Sequence, residues 1–178
     1  MATAPATTGI GIRRLQHLVL WVSSVERSAR FYTEVLGFEV TVRYPNAAFL
    51  KIPGSPDDHH LGLFEQTGAS RPDERVARMY HSAWEVAELT DLARARDRLI
   101  EVGSLVGSSD HGVSLSLYAK DPDGLEFELF WTVPDGKPAG TRPLDLEHEL
   151  SRRGLVAREP SFFCCLATKS SAPPKHAA

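Results

Sequence analysis

Of the 178 residues only two are cysteine, Cys164 and Cys165, and they are neighbours. A bridge between adjacent cysteines is strained and a single pair builds no framework, so the fold has to rest on an apolar core. Long apolar runs are also missing. No stretch reaches the roughly 20 residues that cross a bilayer, and the start MATAPATTGIGIRR lacks the basic-then-apolar order of a secretory leader. A cytoplasmic, reducing location without a membrane partner is therefore the expectation. Nor is there an excess of positive charge: 20 Lys and Arg stand against 23 Asp and Glu, and no basic cluster is interleaved with aromatics. That excludes a nucleic-acid surface. What is present is 42% apolar and 24% charged residues, the make-up of one domain with a sizeable core.

Hydrophobic periodicity divides the chain into a pattern that repeats. LQHLVLWV (15–22) is rich in strand formers, and the following Ser23-x-x-Glu26 has the spacing of a capping box. Val25, Ala29, Tyr32 and Leu36 then share one helical stripe, which Gly37 ends. FEVTVRY (38–44) alternates as a strand, Pro45-Asn46 turns the chain, AAFLKI (47–52) is a further strand, and PGSPDD leads into HHLGLFEQ (59–66). This order is β-α-β-β-β. After the Arg-rich connector GASRPDERVAR it restarts with MYHSAWEV (79–86). A helix with Leu92, Ala95, Leu99 and Val102 aligned follows and stops at Gly103. SLVGSS, VSLSLYAK, the turn DPDG and LEFELFWT complete the second unit.

Superposing His17 on His81 also superposes Val22 on Val86, as expected of a duplicated unit. One such unit has too little sheet to be stable alone, so the two should pair around a shared concave surface. The duplication assigns related places to residues that can bind metal. His17 and His81 fall on the first strand of each unit, and Glu128 falls on the last strand of the second. Aligning Leu63-Phe64 with Leu129-Phe130 puts Gly62 where Glu128 stands, so three of four related positions carry ligands and one is empty. An unpaired carboxylate inside an apolar strand costs several kcal/mol, which makes a metal or cation beside Glu128 the economical explanation. Two imidazoles and one carboxylate leave one face of a metal open, an arrangement suited to non-haem Fe(II) and oxygen chemistry.

The sequence resembles the vicinal oxygen chelate superfamily, the glyoxalase, bleomycin-resistance and extradiol dioxygenase group, and within it small single-chain catechol 2,3-dioxygenases. The stretches that carry the resemblance are LQHLVLWVSSVERSARFYTEVLGFEV, DDHHLGLFE, YHSAWEV, DHGVSLSLYAKDPDGLEFELFW and TRPLDLEHEL. It implies an α+β fold in which two βαβββ modules pair into a cupped, barrel-like mixed sheet around a metal site. One domain would span residues 13–150, with modules at about 13–68 and 76–133 and an extension at 134–150. Residues 1–12 and 151–178 would be tails. In the family the first-strand histidines and the last-strand glutamate bind the metal, which carries over to His17, His81 and Glu128. Tyr118 matches the active-site tyrosine, and His111 the histidine that hydrogen-bonds substrate or product oxygens. The doublet His59-His60 covers the acid/base histidine, with His59 favoured by register; strand alternation admits only one of the two. The implied activity is extradiol cleavage of a small aromatic diol by dioxygen, with Fe(II), or alternatively Mn(II), as metal; homo-oligomer formation is compatible with it. Alternatives are a glyoxalase-like isomerase, a fosfomycin-type thiol transferase, and a metal-free drug-binding protein.

Other residues have plainer readings. Trp21, Trp84, Phe127, Phe130 and Trp131 suit a core or a pocket wall. Glu65 and Glu126 suit solvent-facing strand positions, and DPDG a turn that positions the last strand. Cys164-Cys165 in SFFCCLA suits a docked strand without catalytic role.

Overall fold

A computed structural model of the chain describes residues 13–68 and 79–156. The expectations for residues 1–12, for Cys164-Cys165 and for most of the C-terminal tail lie outside the described residues. The first module comprises β1 (Leu18–Val22), α1 (Val25–Glu34), β2 (Glu39–Tyr44), β3 (Ala47–Lys51) and β4 (Leu61–Glu65). The second comprises β5 (Ser82–Glu85), α2 (Leu89–Glu101), β6 (Leu105–Asp110), β7 (Ser114–Lys120) and β8 (Glu126–Thr132), and α3 (Leu146–Ser151) follows. The fold is α+β with two mixed four-stranded sheets, ordered β1-β4-β3-β2 and β5-β8-β7-β6.

The repeat extends to individual residue pairs. β1 runs parallel to β4 with Val19 opposite Gly62, and β5 runs parallel to β8 with Ala83 opposite Glu128. Phe49 pairs with Gly62 as Tyr118 pairs with Glu128. Even the irregularities match: β2 is bulged between Val40 and Val42, and β6 between Leu105 and Gly107. A bulge turns an edge strand away from open pairing, and both of these strands are edges.

Each sheet buries one face against its helix. In the first module Leu20, Val22, Leu50, Leu61 and Leu63 pack against Val25, Ala29 and Tyr32. In the second, Leu115, Leu117, Phe127 and Leu129 pack against Leu89, Leu92 and Leu99, with Leu146 and Leu150 of α3 added. Phe31, Leu36 and Trp84 adjoin both clusters, so the modules meet through their helix-bearing sides. Phe31 is edge-on to Phe127 at 6.0 Å and Phe38 to Trp84 at 5.3 Å. Polar ties reinforce the junction. The Asp123 carboxylate accepts from Ser23 N at 3.0 Å, Ser23 Oγ at 2.6 Å and Arg27 at 2.7 Å. The Tyr32 hydroxyl donates to buried Asp121 at 3.2 Å. Burial, and then the Asp121 carboxylate, push the Tyr32 phenol well above its ordinary value, and burial likewise raises Asp121.

Several local expectations need correction. The N-cap of α1 is Ser24, whose hydroxyl accepts from Arg27 N at 3.3 Å, because Ser23 is engaged by Asp123. Glu65 does not simply face solvent: its carboxylate accepts from Val25 N at 3.0 Å and so satisfies a free donor at the start of α1. Val102 is the C-cap of α2 and 43% exposed, so the buried stripe ends at Leu99. Trp21 is 64% exposed on the outer face of β1, not a core residue. DPDG is a turn, as expected, but through Asp121 and Asp123 it is also the tie between modules. Among the described residues no helix is long and apolar enough to cross a membrane.

Candidate metal centre

The face of each sheet turned away from its helix carries the candidate site residues. His81 immediately precedes β5, and the parallel register sets Ala83 beside Glu128 on β8. A methyl at position 83 leaves room above the strand pair for longer side chains. His81 Nε2 lies 3.1 Å from Glu128 Oε2, with the two side chains 24% and 13% exposed. The other ring nitrogen of His81, Nδ1, is buried without a hydrogen-bond partner. A buried unpaired polar atom costs on the order of 1–3 kcal/mol. Nε2, next to the Glu128 oxygen, is the nitrogen that a divalent cation would share with the carboxylate. Such a cation would leave Nδ1 without a partner.

Tyr118 stands directly across β7 and β8 from Glu128, its ring 5.8 Å from that of His81. Its hydroxyl is 3.0 Å from His111 Nε2, so the two residues form a hydrogen-bonded unit beside the imidazole–carboxylate pair. Burial, followed by the Glu128 charge, raises the Tyr118 phenol above its ordinary value. At neutral pH it is therefore a hydrogen-bond donor rather than a phenolate. His111 occupies the turn between β6 and β7, where the first module has only the tight Tyr44-to-Ala47 turn.

His17 belongs to the other wall. Its ring lies 4.6 Å from that of His59, which in turn is 5.0 Å from Phe49. His59 Nδ1 is 2.7 Å from Asp58 Oδ2, a contact that holds the Asp58 carboxyl below its usual range. His60 points elsewhere. Its Nδ1 accepts from Ile52 N at 3.2 Å, and its Nε2 is 3.2 Å from Ser55 Oγ and 3.4 Å from Asp57 Oδ2. His60 thus ties down the loop before β4, while His59 stands with His17. Among the described residues, no three His, Cys, Asp or Glu side chains are gathered closely enough to hold a metal ion. The chain brings together His81 with Glu128, Tyr118 with His111, and His17 with His59; it does not bring His17 to the first pair.

Gly62, the empty fourth position, is closed by its neighbours. A Cβ there would lie 3.3 Å from a Val19 methyl and 3.5 Å from the Phe49 ring. An added Cβ would require the Val19 methyl to give by a few tenths of an ångström and would stand in ordinary contact with the Phe49 ring. The duplicated register, the imidazole–carboxylate pair at one strand junction and its glycine counterpart at the other agree with a family model for the "Glyoxalase/Bleomycin resistance protein/Dioxygenase superfamily" that matches residues 14–129.

The chain belongs to this superfamily. A catechol-2,3-dioxygenase of Bacillus subtilis is 35% identical over 117 residues, covering 65% of this chain and 40% of that protein. A biphenyl-2,3-diol 1,2-dioxygenase of Rhodococcus globerulus is 34% identical over 122 residues, covering 65% of this chain and 62% of that protein. The chain thus spans less than two thirds of the length of these relatives. Among solved structures, a glyoxalase/bleomycin resistance protein/dioxygenase domain from Frankia aligns with a TM-score of 0.59 at 24% identity. It covers 69% of this chain and all of that one, and it shows the shared fold. Members of the superfamily bind divalent metal, and some relatives are extradiol dioxygenases.

Three groups escaped sequence reasoning: Thr141, the Asp110–Arg142 pair, and Tyr80, whose ring is 4.8 Å from that of His81. Tyr80 adjoins His81 in YHSAWEV, so adjacency to a candidate ligand was its only signal. Thr141 and Arg142 reach their partners from 30 and 32 residues away, which no local pattern reports.

Proposed function

We propose that the chain is an extradiol ring-cleaving dioxygenase for a catechol-type aromatic diol, with His81, Glu128 and His17 as metal ligands. The observation that carries this reading is the Tyr118–His111 unit on the same sheet face as the His81–Glu128 pair. When bound, Fe(II), or alternatively Mn(II), would supply chelation of two vicinal oxygens and a route for electrons from the ring to dioxygen. The side chains do the rest. Tyr118, held protonated by burial and by Glu128, donates a hydrogen bond to charge that develops on a substrate oxygen. His59, oriented through Nδ1 by Asp58, takes and returns a proton at Nε2. Both oxygen atoms enter the product, a muconic semialdehyde, so no further reductant is required. The crowding of Gly62 by Val19 and Phe49 counts against the four-ligand isomerase alternative.

In one chain the third ligand is apart from the other two, and the junction keeps it so. Asp123 binds Ser23 and Arg27, Tyr32 binds Asp121, and Phe31 packs on Phe127, so bringing β1 to Glu128 within the chain would break all three. The outer face of β1 is open, with Val19 50% and Trp21 64% exposed. The source of His17 is therefore a second copy of the chain, whose His17–His59 wall meets this chain's His81–Glu128 wall. The twofold symmetry of a homodimer completes two such sites at once.

Anaerobic reconstitution with Fe(II), metal analysis, and oxygen uptake with a panel of catechols test the proposal, the yellow ring-opened product being followed by absorbance. Stoichiometric iron and a coloured product are expected; absence of iron after reconstitution ends the enzyme reading. Mixing His17→Ala with His81→Ala protein after subunit exchange should recover about a quarter of wild-type iron, because half the pairs are mixed and one of their two sites is intact. No recovery would place all three ligands in one chain.

A further inference from the structure

We propose that the cleft between the two modules beside α2 is a binding site for a small aromatic carboxylate. The ring inserts beside Ala95, and Arg94 and Arg98 hold the carboxylate. This site is separate from the metal centre: on one face of the β5–β8 pair Ala83 stands beside Glu128, and on the other Trp84 stands beside Leu129 and lines the cleft.

Because the duplicated units meet through their helix-bearing sides, the junction has two related clefts. Carrying the superposition of His17 on His81 and Val22 on Val86 into the helices sets Val25 on Leu89, Ala29 on Ala93, Phe31 on Ala95 and Tyr32 on Arg96. One cleft runs from Val102 and Gly103 at the end of α2 to the turn at Asp121 and Pro122, and Phe31 stands in it. The other runs from Leu36 and Gly37 at the end of α1 to Ile52 and Pro53, with Ala95 in the place of Phe31. The first is closed. Phe31 is edge-on to Phe127, Tyr32 is hydrogen-bonded to Asp121 at 3.2 Å, and about 400 Å³ remains. In the second a methyl replaces the ring, and Arg96, the counterpart of Tyr32, is engaged by Asp97 at 2.9 Å and by Glu147 of α3 at 2.7 Å. About 760 Å³ is left open, a volume suited to a small ligand.

The turns differ in the same sense. Asp57 N donates to Ser55 Oγ as Asp123 N donates to Asp121 Oδ1, so Ser55-Pro56-Asp57 repeats Asp121-Pro122-Asp123. Yet Asp123 grips Ser23 and Arg27 in the opposite module, whereas Asp57 pairs with Arg14 of its own. One side of the junction is locked by an aromatic ring and a carboxylate, and the other lacks both.

The open cleft has an apolar floor and a cationic wall. Phe38 and Leu129 are buried in the floor, and Phe38 is edge-on to Trp84 at 5.3 Å. The Trp84 indole N–H already donates to Ser82 Oγ at 3.1 Å, so the floor needs no polar partner from an occupant. Arg94 and Arg98, one turn apart on α2, both line the cleft. Their partners Asp91 and Glu101 lie on the same helix in exposed pairs, which are weak and yield to a better-seated anion. Two guanidinium groups at this spacing suit a carboxylate. Of the other acidic groups at the cleft, Glu85 accepts from the Thr132 hydroxyl and Glu34 is exposed to solvent.

Of the three tryptophans in the chain only Trp84 lines the cleft, which supplies the probe. In metal-free full-length protein labelled with 15N, the Trp84 indole signal is assigned by its loss in Trp84→Phe. Titration with α-naphthoate should shift it saturably and leave the signals of Trp21 and Trp131 in place. The neutral α-naphthylmethanol should bind about tenfold more weakly, for want of charge-assisted hydrogen bonds. Arg94→Gln combined with Arg98→Gln should remove this preference, and Ala95→Phe should fill the cleft and abolish the shift. The arginine variant, altered only on the helix surface, carries the test if the added ring prevents folding. His81→Ala should bind α-naphthoate as the wild type does. No shift at Trp84, equal affinity for acid and alcohol, or undiminished binding by the arginine variant overturns the proposal. Loss of binding in His81→Ala would also overturn it, by placing the carboxylate at the metal centre.

Discussion

The first module sets Val19 beside Gly62, and the second sets Ala83 beside Glu128. The two pairs occupy the same register of the same parallel junction, yet large and small have changed places. In the second module a small residue on the first strand leaves space for a carboxylate on the last, and His81 comes within 3.1 Å of it. In the first, glycine on the last strand lets Val19 and Phe49 close over the spot. A duplicated scaffold can hold a ligand at either junction, and one exchange of volume decides which junction has it. The partners across the sheet follow suit: Tyr118, with a polar tip, faces Glu128, while Phe49, with none, faces Gly62.

The largest effect should come from the ligand-bearing junction. His81→Ala is expected to abolish iron binding, measured as metal per chain after anaerobic reconstitution, whereas Tyr118→Phe should retain iron and turn over more slowly. Equal iron loss in both variants would refute the division of roles. Next comes the core of the same module: Phe127→Ala, at the junction with Phe31, should cost about 3–5 kcal/mol in urea unfolding. His59→Gln should lower kcat about a hundredfold, a general acid/base effect. His60→Gln should spare turnover and loosen the loop before β4 by about 1 kcal/mol. If both variants turn over like wild type, the doublet has no catalytic part. In the ligand-free junction, Gly62→Ala should destabilise by about 1 kcal/mol, because a Val19 methyl 3.3 Å from the new Cβ must give way. A stabilising result would mean that the glycine is not there for space.

The smallest effect concerns pH. Burial holds the Asp121 carboxyl above its usual value of 3.8. The folded protein therefore binds that proton more tightly than the unfolded chain. The corresponding stability is fully present below that usual value and is lost as pH rises through the higher folded value. Asp121→Asn keeps an acceptor for the Asp123 and Leu125 amides but does not titrate. Relative to the variant, wild-type unfolding free energy should fall as pH rises through this window; a parallel pH dependence of the two proteins would contradict the assignment.

Much of this was legible in one dimension. The helical stripes at Val25, Ala29 and Tyr32 and at Leu92 and Leu99 are buried as their spacing requires. The alignment of His17 with His81 and of Gly62 with Glu128 reappears in the strand register. What misled the reading was competition for polar partners between remote residues. Ser23 has the spacing of a cap, but Asp123, a hundred residues away, takes its hydroxyl and leaves capping to Ser24. Glu65 looked like a solvent-facing strand residue because its partner, Val25 N, lies across the module. Thr141 carried no signal, since nothing local marks a hydroxyl as the neighbour of a histidine in an earlier turn.

By itself the sequence determined the repeated β-α-β-β-β order, the superfamily, and which residue types stand at positions 17, 62, 81 and 128, because periodicity and spacing are properties of short windows. The tertiary structure decided which of them meet. Parallel pairing of β5 with β8 joins His81 to Glu128, and packing of the helix-bearing sides through Phe31, Phe127, Tyr32 and Asp121 keeps His17 on a separate face. Contacts between modules are short-range forces between residues about a hundred positions apart, so no local pattern carries them until the chain has folded.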